Sequence, residues 1–147
     1  MRIEKITTDK KRFLELLLLG DEQEDMIDRY LERGDLFALF DPDLKSLCVV
    51  TDEGKGTCEL KNLATCARYQ GQGYATRLLE HVFRYYSGKY ETILAGTGEE
   101  PRTLAFYERH GFIFSHRLKN FFMDNYREPI VECGVRLVDM IYLRRSL

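Results

Sequence analysis

The chain has 147 residues, 44% of them apolar and 31% charged. That is ordinary globular usage, long enough to bury a core without metal or disulfide staples, and it excludes disorder, collagen and coiled-coil arrays as whole-chain answers. With 22 basic and 24 acidic residues the formal charge is −2, so no bulk positive field exists to hold a nucleic-acid backbone.

One domain over residues 1–147 is expected, with no nucleic-acid partner. Cys48, Cys58, Cys66 and Cys133 form no C-x-x-C pair, and His81, His110 and His116 do not cluster with them; no metal site is expected. The start Met1-Arg2-Ile3-Glu4-Lys5 is charged, and the apolar run Phe13 to Leu19 is too short to cross a bilayer. The expectation is a reduced, cytoplasmic protein without a membrane partner. A homodimer is the reasonable oligomer on symmetry grounds.

Arg2 to Ile6 alternates charged and apolar residues and predicts a short edge strand. A helix is expected over Lys10 to Leu19, with Gly20 as its C-cap. A second is expected from Glu22 to Arg33, capped by Asp21 with Glu24 three positions on. Leu36 to Phe40, Ser46 to Thr51 and Thr57 to Thr65 read as a three-strand meander, with the turn-rich Asp52 to Gly56 as a hairpin loop. An amphipathic helix then runs to about Ser87, expected to bury Ala75, Leu78, Leu79, Val82, Phe83 and Tyr86. Glu91 to Ala95 is a compact strand. Pro101 opens a helix that closes at Gly111. Phe112 to Phe122 and Val135 to Leu143 read as the last strands, with a long loop from Asn125 to Gly134. The order implies an α/β fold: a mixed, mostly antiparallel sheet of about six or seven strands with helices on both faces.

The informative segment is Arg68-Tyr69-Gln70-Gly71-Gln72-Gly73-Tyr74-Ala75-Thr76, which joins a strand to a helix N-terminus. Glycines there allow close backbone approach to a ligand. The free N–H groups of the first helical turn and the helix dipole make a phosphate site without a lysine. A plain strand-to-helix turn containing two glycines is the competing reading. The segment is neither a P-loop, since Tyr74 and Ala75 follow Gly73, nor a dinucleotide fingerprint, whose last glycine is replaced by Thr76.

The segment resembles the signature Q/R-x-x-G-x-G/A of the GNAT superfamily of N-acetyltransferases, as Arg68-x-x-Gly71-x-Gly73 and again as Gln70-x-x-Gly73-x-Ala75. A second block, Thr103-Leu104-Ala105-Phe106-Tyr107-Glu108-Arg109-His110-Gly111-Phe112, resembles the family's late A-x-x-F-Y-x-x-x-G-F helix. The resemblance implies acetyl-CoA as co-substrate. Its pyrophosphate would lie on the backbone of Gln70, Gly71, Gln72, Gly73, Tyr74, Ala75 and Thr76. Its pantetheine arm would run beside Leu63, Ala64 and Thr65, with Phe106 also in the cofactor site. Tyr107 would be the acid that protonates the departing thiolate. Many members carry asparagine where this chain has Glu100, a carboxylate that would repel a polyanion unless it points away.

Acyl transfer to a lysine-like amine needs the neutral amine, which at pH 7 costs about 4.6 kcal/mol for a pKa of about 10.4. Glu59 is the candidate proton acceptor, expected by alternation on one strand face with Lys61 and Leu63; a solvated glutamate paired with Lys61 is the plainer reading. In the resembling family the acceptor usually binds between the first helices and the last hairpin loop. Those segments here hold Glu22, Glu24, Asp25, Asp28, Asp124, Glu128 and Glu132, an acidic mouth suited to a cationic small-molecule or peptide amine. The expected function is acetyl-CoA-dependent N-acetyltransfer by direct attack in a ternary complex. A non-catalytic acyl-CoA-binding regulator is the alternative.

Overall fold

A computed structural model describes all 147 residues, Met1–Leu147. Seven strands form one sheet in the order β1-β2-β3-β4-β5-β9-β6. They are β1 (Arg2–Ile6), β2 (Asp35–Phe40), β3 (Leu44–Gly54), β4 (Thr57–Thr65), β5 (Thr92–Gly98), β6 (Ile113–Leu118) and β9 (Met140–Ser146). All neighbours are antiparallel except β4 and β5. A separate two-stranded hairpin pairs β7 (Val131–Glu132) with β8 (Val135–Arg136). The helices are α1 (Leu14–Gly20), α2 (Glu24–Ile27), α3 (Tyr74–Tyr86), α4 (Pro101–Arg109) and α5 (Phe121–Asn125). None is long and apolar enough to cross a membrane.

Strand alternation builds two cores, one on each sheet face. On β2 and β3, Phe37, Leu39, Cys48 and Val50 pack with Leu78, Leu79, Val82 and Tyr86 of α3 and with Tyr107 of α4. The alternating partners Leu36, Ala38, Leu47 and Val49 pack with Leu16 and Leu17 of α1 and with Ile27 and Leu31. A small third cluster joins Phe122, Ile130 and Leu137.

The regular pairing of β4 is broken at one point. Val49 pairs with Asn62 and Val50 with Leu60, so Lys61 is an extra residue in β4, a β-bulge. The bulge reverses the facing of β4: Cys58 and Leu60 join the α3 core, whereas Ala64 joins the α1 core. The expected shared face of Glu59 and Leu63 is therefore wrong, because strict alternation does not survive a bulge.

Four other boundaries differ from expectation. The first helix begins as a 3₁₀ turn (Lys10–Phe13), and Gly20 is the last residue of α1 rather than its cap. A Cβ on Gly20 would collide with the Asn62 side chain, so close packing on β4 demands the glycine. The second helix shrinks to Glu24–Ile27, with Gln23 as its N-cap. The turns after it are closed by the buried Lys10, whose Nζ donates to the carbonyls of Leu31, Glu32 and Gly34 at 3.0, 3.1 and 2.6 Å. Phe121 and Phe122 open α5 instead of ending a strand, because Asn120 turns into the left-handed region at φ 58°. The last predicted strand divides into β8 and β9, since Leu137 tucks into the third cluster between them.

Leu17 is fully buried where α1 meets β4. Leu17→Ala is expected to destabilise the protein by about 2–5 kcal/mol, measured by urea unfolding with the slope unchanged.

Candidate active site

β4 and β5 share hydrogen-bonded register only over Thr57–Leu60 and Thr92–Ala95. Beyond Leu60, β4 continues with β3 and β5 continues with β9. The bulge at Lys61 bends β4 away at the point where the two strands part. The result is a notch in the middle of the sheet, with an unpaired strand edge from Lys61 to Thr65 opposite Gly96 to Gly98. An extended ligand can take such an edge as an added strand.

The notch opens into a cleft of about 530 Å³. Of the residues singled out from sequence, Leu63, Thr65, Gln70, Gly71, Gly73, Tyr74, Ala75, Thr76, Phe106 and Tyr107 line it. Ala64 does not, being buried against α1, and Gln72 is exposed beside it. Gly71 and Gly73 have φ of 77° and 88°, and a Cβ on either would meet no protein atom. The turn therefore needs glycine for its backbone and leaves the space above it free. The first N–H bonded inside α3 is that of Arg77, to the Gly73 carbonyl, so the amides before it are open to an anion. Arg102 and Arg109 add positive charge to the cleft. His110 ties its two walls: Nδ1 donates to the Phe106 carbonyl at 2.7 Å, and Nε2 lies 3.0 Å from Thr76 Oγ1. A pyrophosphate-bearing thioester fits this donor set.

Glu100 also lines the cleft, but it is 2% exposed and its carboxylate is engaged by the first turn of α4. Its carboxylate caps α4, accepting from Arg102 N at 3.0 Å and from Thr103 N and Oγ1 at 2.8 and 2.9 Å. Burial pushes its pKa up, but these hydrogen bonds outweigh that and hold it below the ordinary glutamate value.

A second cavity, of about 630 Å³, lies on the other side of Tyr107. Leu63, Gln70, Thr103, Tyr107 and Cys133 line both spaces. The second carries three carboxylates, Asp21, Glu22 and Glu132. Asp21, expected as a helix cap, instead accepts from the hydroxyls of Tyr30 at 2.9 Å and Tyr126 at 2.5 Å. Burial raises its pKa. Glu132 sits on the β7–β8 hairpin, whose turn is Cys133-Gly134 with φ of 49° and 78°. Burial raises the Glu132 pKa, and the nearby charges of Glu22 and Glu100 add to the effect. Tyr107 is 8% exposed, and its hydroxyl has no hydrogen-bond partner in the protein. Burial, then the charge of Glu132, raises its pKa and keeps it protonated.

Glu59 does not line the second cavity. It is buried at the foot of the notch, with Oε2 3.0 Å from Lys61 Nζ and accepting from Tyr142 Oη at 3.1 Å. Sequence reasoning placed Glu132 only among the acids of the mouth and missed Asn62. A polar residue inside a buried strand was the available signal for Asn62.

The profile of the acetyltransferase (GNAT) domain matches residues 39–114, which include the glycine turn and both walls of the cleft. The chain belongs to the GNAT acetyltransferase family. The Bacillus subtilis protein named uncharacterized N-acetyltransferase YvbK is 31% identical, over 100% of this chain and 97% of that one. A GNAT family acetyltransferase from Elizabethkingia anophelis, solved with acetyl-CoA bound, superposes with a TM-score of 0.93 at 34% identity, covering 99% of this chain and 97% of that one. A Bacillus subtilis acetyltransferase solved with CoA gives 0.89 at 30% identity, covering 99% and 98%. This GNAT acetyltransferase therefore uses acetyl-CoA as its co-substrate, and the seven-strand, mostly antiparallel sheet is the family's fold.

Because the Glu100 pKa is lowered on folding, its contribution is present at neutral pH and is lost as pH falls through the folded value. Glu100→Ala should lower Tm at pH 7. The gap from the parent protein should close as pH drops below the ordinary glutamate range, in thermal melts across an acid series.

Proposed function

We propose that residues 1–147 act as one N-acetyltransferase domain that moves the acetyl group of acetyl-CoA to a cationic primary amine in a ternary complex. The observation that carries the reading is the meeting of two spaces at Tyr107: a cleft lined by helix amides and arginines, and a cavity lined by carboxylates. The backbone of Gln70 to Thr76 would hold the pyrophosphate. The open edge of Leu63 to Thr65 would align the pantetheine arm, with Phe106 packing beside it. Bound there, the thioester supplies an activated acyl group.

The acceptor enters through the acidic cavity as an ammonium and loses a proton to Glu132, whose carboxylate has no hydrogen-bond partner in the protein. Glu132 takes this role over from Glu59, which is already engaged by Lys61 and Tyr142. The amine nitrogen forms its bond to the carbonyl carbon, the carbon–sulfur bond breaks, Tyr107 gives its proton to the leaving thiolate, and the second proton lost by the newly acylated nitrogen restores the tyrosine. A cation beside Glu132 also offsets one of the influences that hold the Tyr107 proton, so binding of the acceptor makes Tyr107 the better acid. The absence of a membrane-crossing helix and a chemistry that draws on acetyl-CoA accord with a cytoplasmic site of action.

Acetyl-CoA and CoA, but not NAD or ATP, are expected to raise Tm; ligand at 100 times its Kd adds about 2.7 kcal/mol. Binding without transfer to any amine would instead support the regulatory alternative. Tyr107→Phe should lower kcat by about 10²–10⁴-fold with a much smaller change in acetyl-CoA affinity, and full turnover in that variant would remove Tyr107 from the chemistry. Glu132 must be ionised to take a proton, so kcat/KM should fall as pH drops through its raised pKa. Glu132→Gln should flatten that limb of the profile, read in initial rates across pH.

A further inference from the structure

The cavity on the acceptor side is electrically unbalanced. Asp21, Glu22 and Glu132 line it, and Lys61 is its one cationic side chain. Lys61 is already held by Glu59. None of the three carboxylates belongs to an ion pair, and the donors on Asp21 are the neutral hydroxyls of Tyr30 and Tyr126. Leu18, Leu60, Phe122, Ile130 and Met140 supply apolar wall in the same cavity. One ammonium at Glu132 would leave Asp21, offset only by the more distant charge of Arg29, and Glu22 without an ion pair in the cavity.

A second observation lies in the same wall. Asn62 is 3% exposed, and its Nδ2 donates to the Leu17 carbonyl at 3.0 Å and to Tyr30 Oη at 3.1 Å. Its Oδ1 is buried without any hydrogen-bond partner. The amide cannot be turned over, because the Leu17 carbonyl only accepts. An acceptor atom thus lacks a donor beside the tyrosine that reaches Asp21. Tyr107, where the cavity meets the cofactor cleft, lines both spaces.

We propose that the acceptor is a small aliphatic dication, an α,ω-diamine or polyamine. Its reacting nitrogen lies between Glu132 and Tyr107, and its second ammonium lies at Asp21 and Glu22, near the Asn62 carbonyl oxygen. The polymethylene stem covers the apolar wall. The assignment rests on the amine-acetyltransfer reading above and adds a second recognition point to it. A monoamine of the same length fills the apolar wall but leaves the distal carboxylates unmatched. An anionic amine meets like charge, which makes repulsion the means of exclusion.

The test compares α,ω-diaminobutane and α,ω-diaminohexane with n-butylamine and n-hexylamine, at saturating acetyl-CoA and low salt. The diamines are expected to exceed the monoamines by about tenfold or more in kcat/KM, mainly through KM, equivalent to one well-made charged contact. Glu22→Gln, at an exposed residue whose side chain bonds nothing in the protein, and Asp21→Asn should each move the diamine-to-monoamine ratio toward one. Glu22→Gln keeps the test decisive should Asp21→Asn disturb the tyrosines it holds. Equal turnover of monoamines and diamines, or a ratio unchanged in Glu22→Gln and in a folded Asp21→Asn, overturns the dication and leaves amine acetylation standing. No transfer to any amine, with acetyl-CoA bound by calorimetry, overturns both.

Discussion

An unpaired strand edge in the middle of a sheet is expensive, since each buried backbone group without a partner forfeits a hydrogen bond. Here β4 and β5 run parallel for four residues and then part, and nothing in the chain closes the gap. The bulge at Lys61 starts the divergence, and on the opposite bank Gly96 and Gly98 make room for the side chains of Met140, Tyr142 and Leu137. On the proposed function, an extended thioester lies along the edge from Leu63 to Thr65. The glycine turn is at the mouth of the notch, α3 and α4 are the walls of the cleft, and the His110 strut ties them.

The bulge does a second thing. By reversing the facing of β4 it turns Asn62 toward α1 and leaves Leu63 facing the cleft. One added residue thereby lets a single strand serve two spaces of opposite charge. The helix amides, Arg102 and Arg109 make the cofactor side positive, whereas Asp21, Glu22 and Glu132 make the acceptor side negative. Tyr107 stands on the boundary, buried and protonated. On the proposed function, two oppositely charged reactants approach from opposite sides and meet there, neither drawn into the other's place.

What could be read from the sequence was local. The glycine turn, the α3 stripe and the Pro101 helix start each declare themselves within a dozen residues, and most of the residues lining the cleft belong to those segments. What could not be read depended on distant partners. Nothing near Lys61 announces a bulge, which shows only in the register against Val49 and Val50. Asp21 looks like a cap until Tyr126, more than a hundred positions on, brings its hydroxyl to it. Phe121-Phe122 and Leu137 look like strand residues until their mutual burial with Ile130 gives them a cluster of their own. Glu59 was singled out because it leads toward the turn, but the bulge lies between it and the cleft.

That third cluster explains how the acceptor side can differ from the cofactor side in kind. Phe122, Ile130 and Leu137 are stabilised by one another, apart from the two cores that clamp the sheet. The hairpin bearing Glu132 and Cys133 pairs only with itself. The acceptor wall is therefore a small unit laid over the junction, joined to the α1–α2 segment through Gln23, Asp25 and Asp21 contacts with Asn125, Arg127 and Tyr126. On the proposed function, substitutions in it change what the cavity accepts without loosening the notch, whereas substitutions in the α3 or α4 core disturb the thioester's placement for every acceptor. Specificity and catalysis then rest on separately stabilised parts of one chain, and Tyr107, anchored in the α3 core and lining the second cavity, is where they touch.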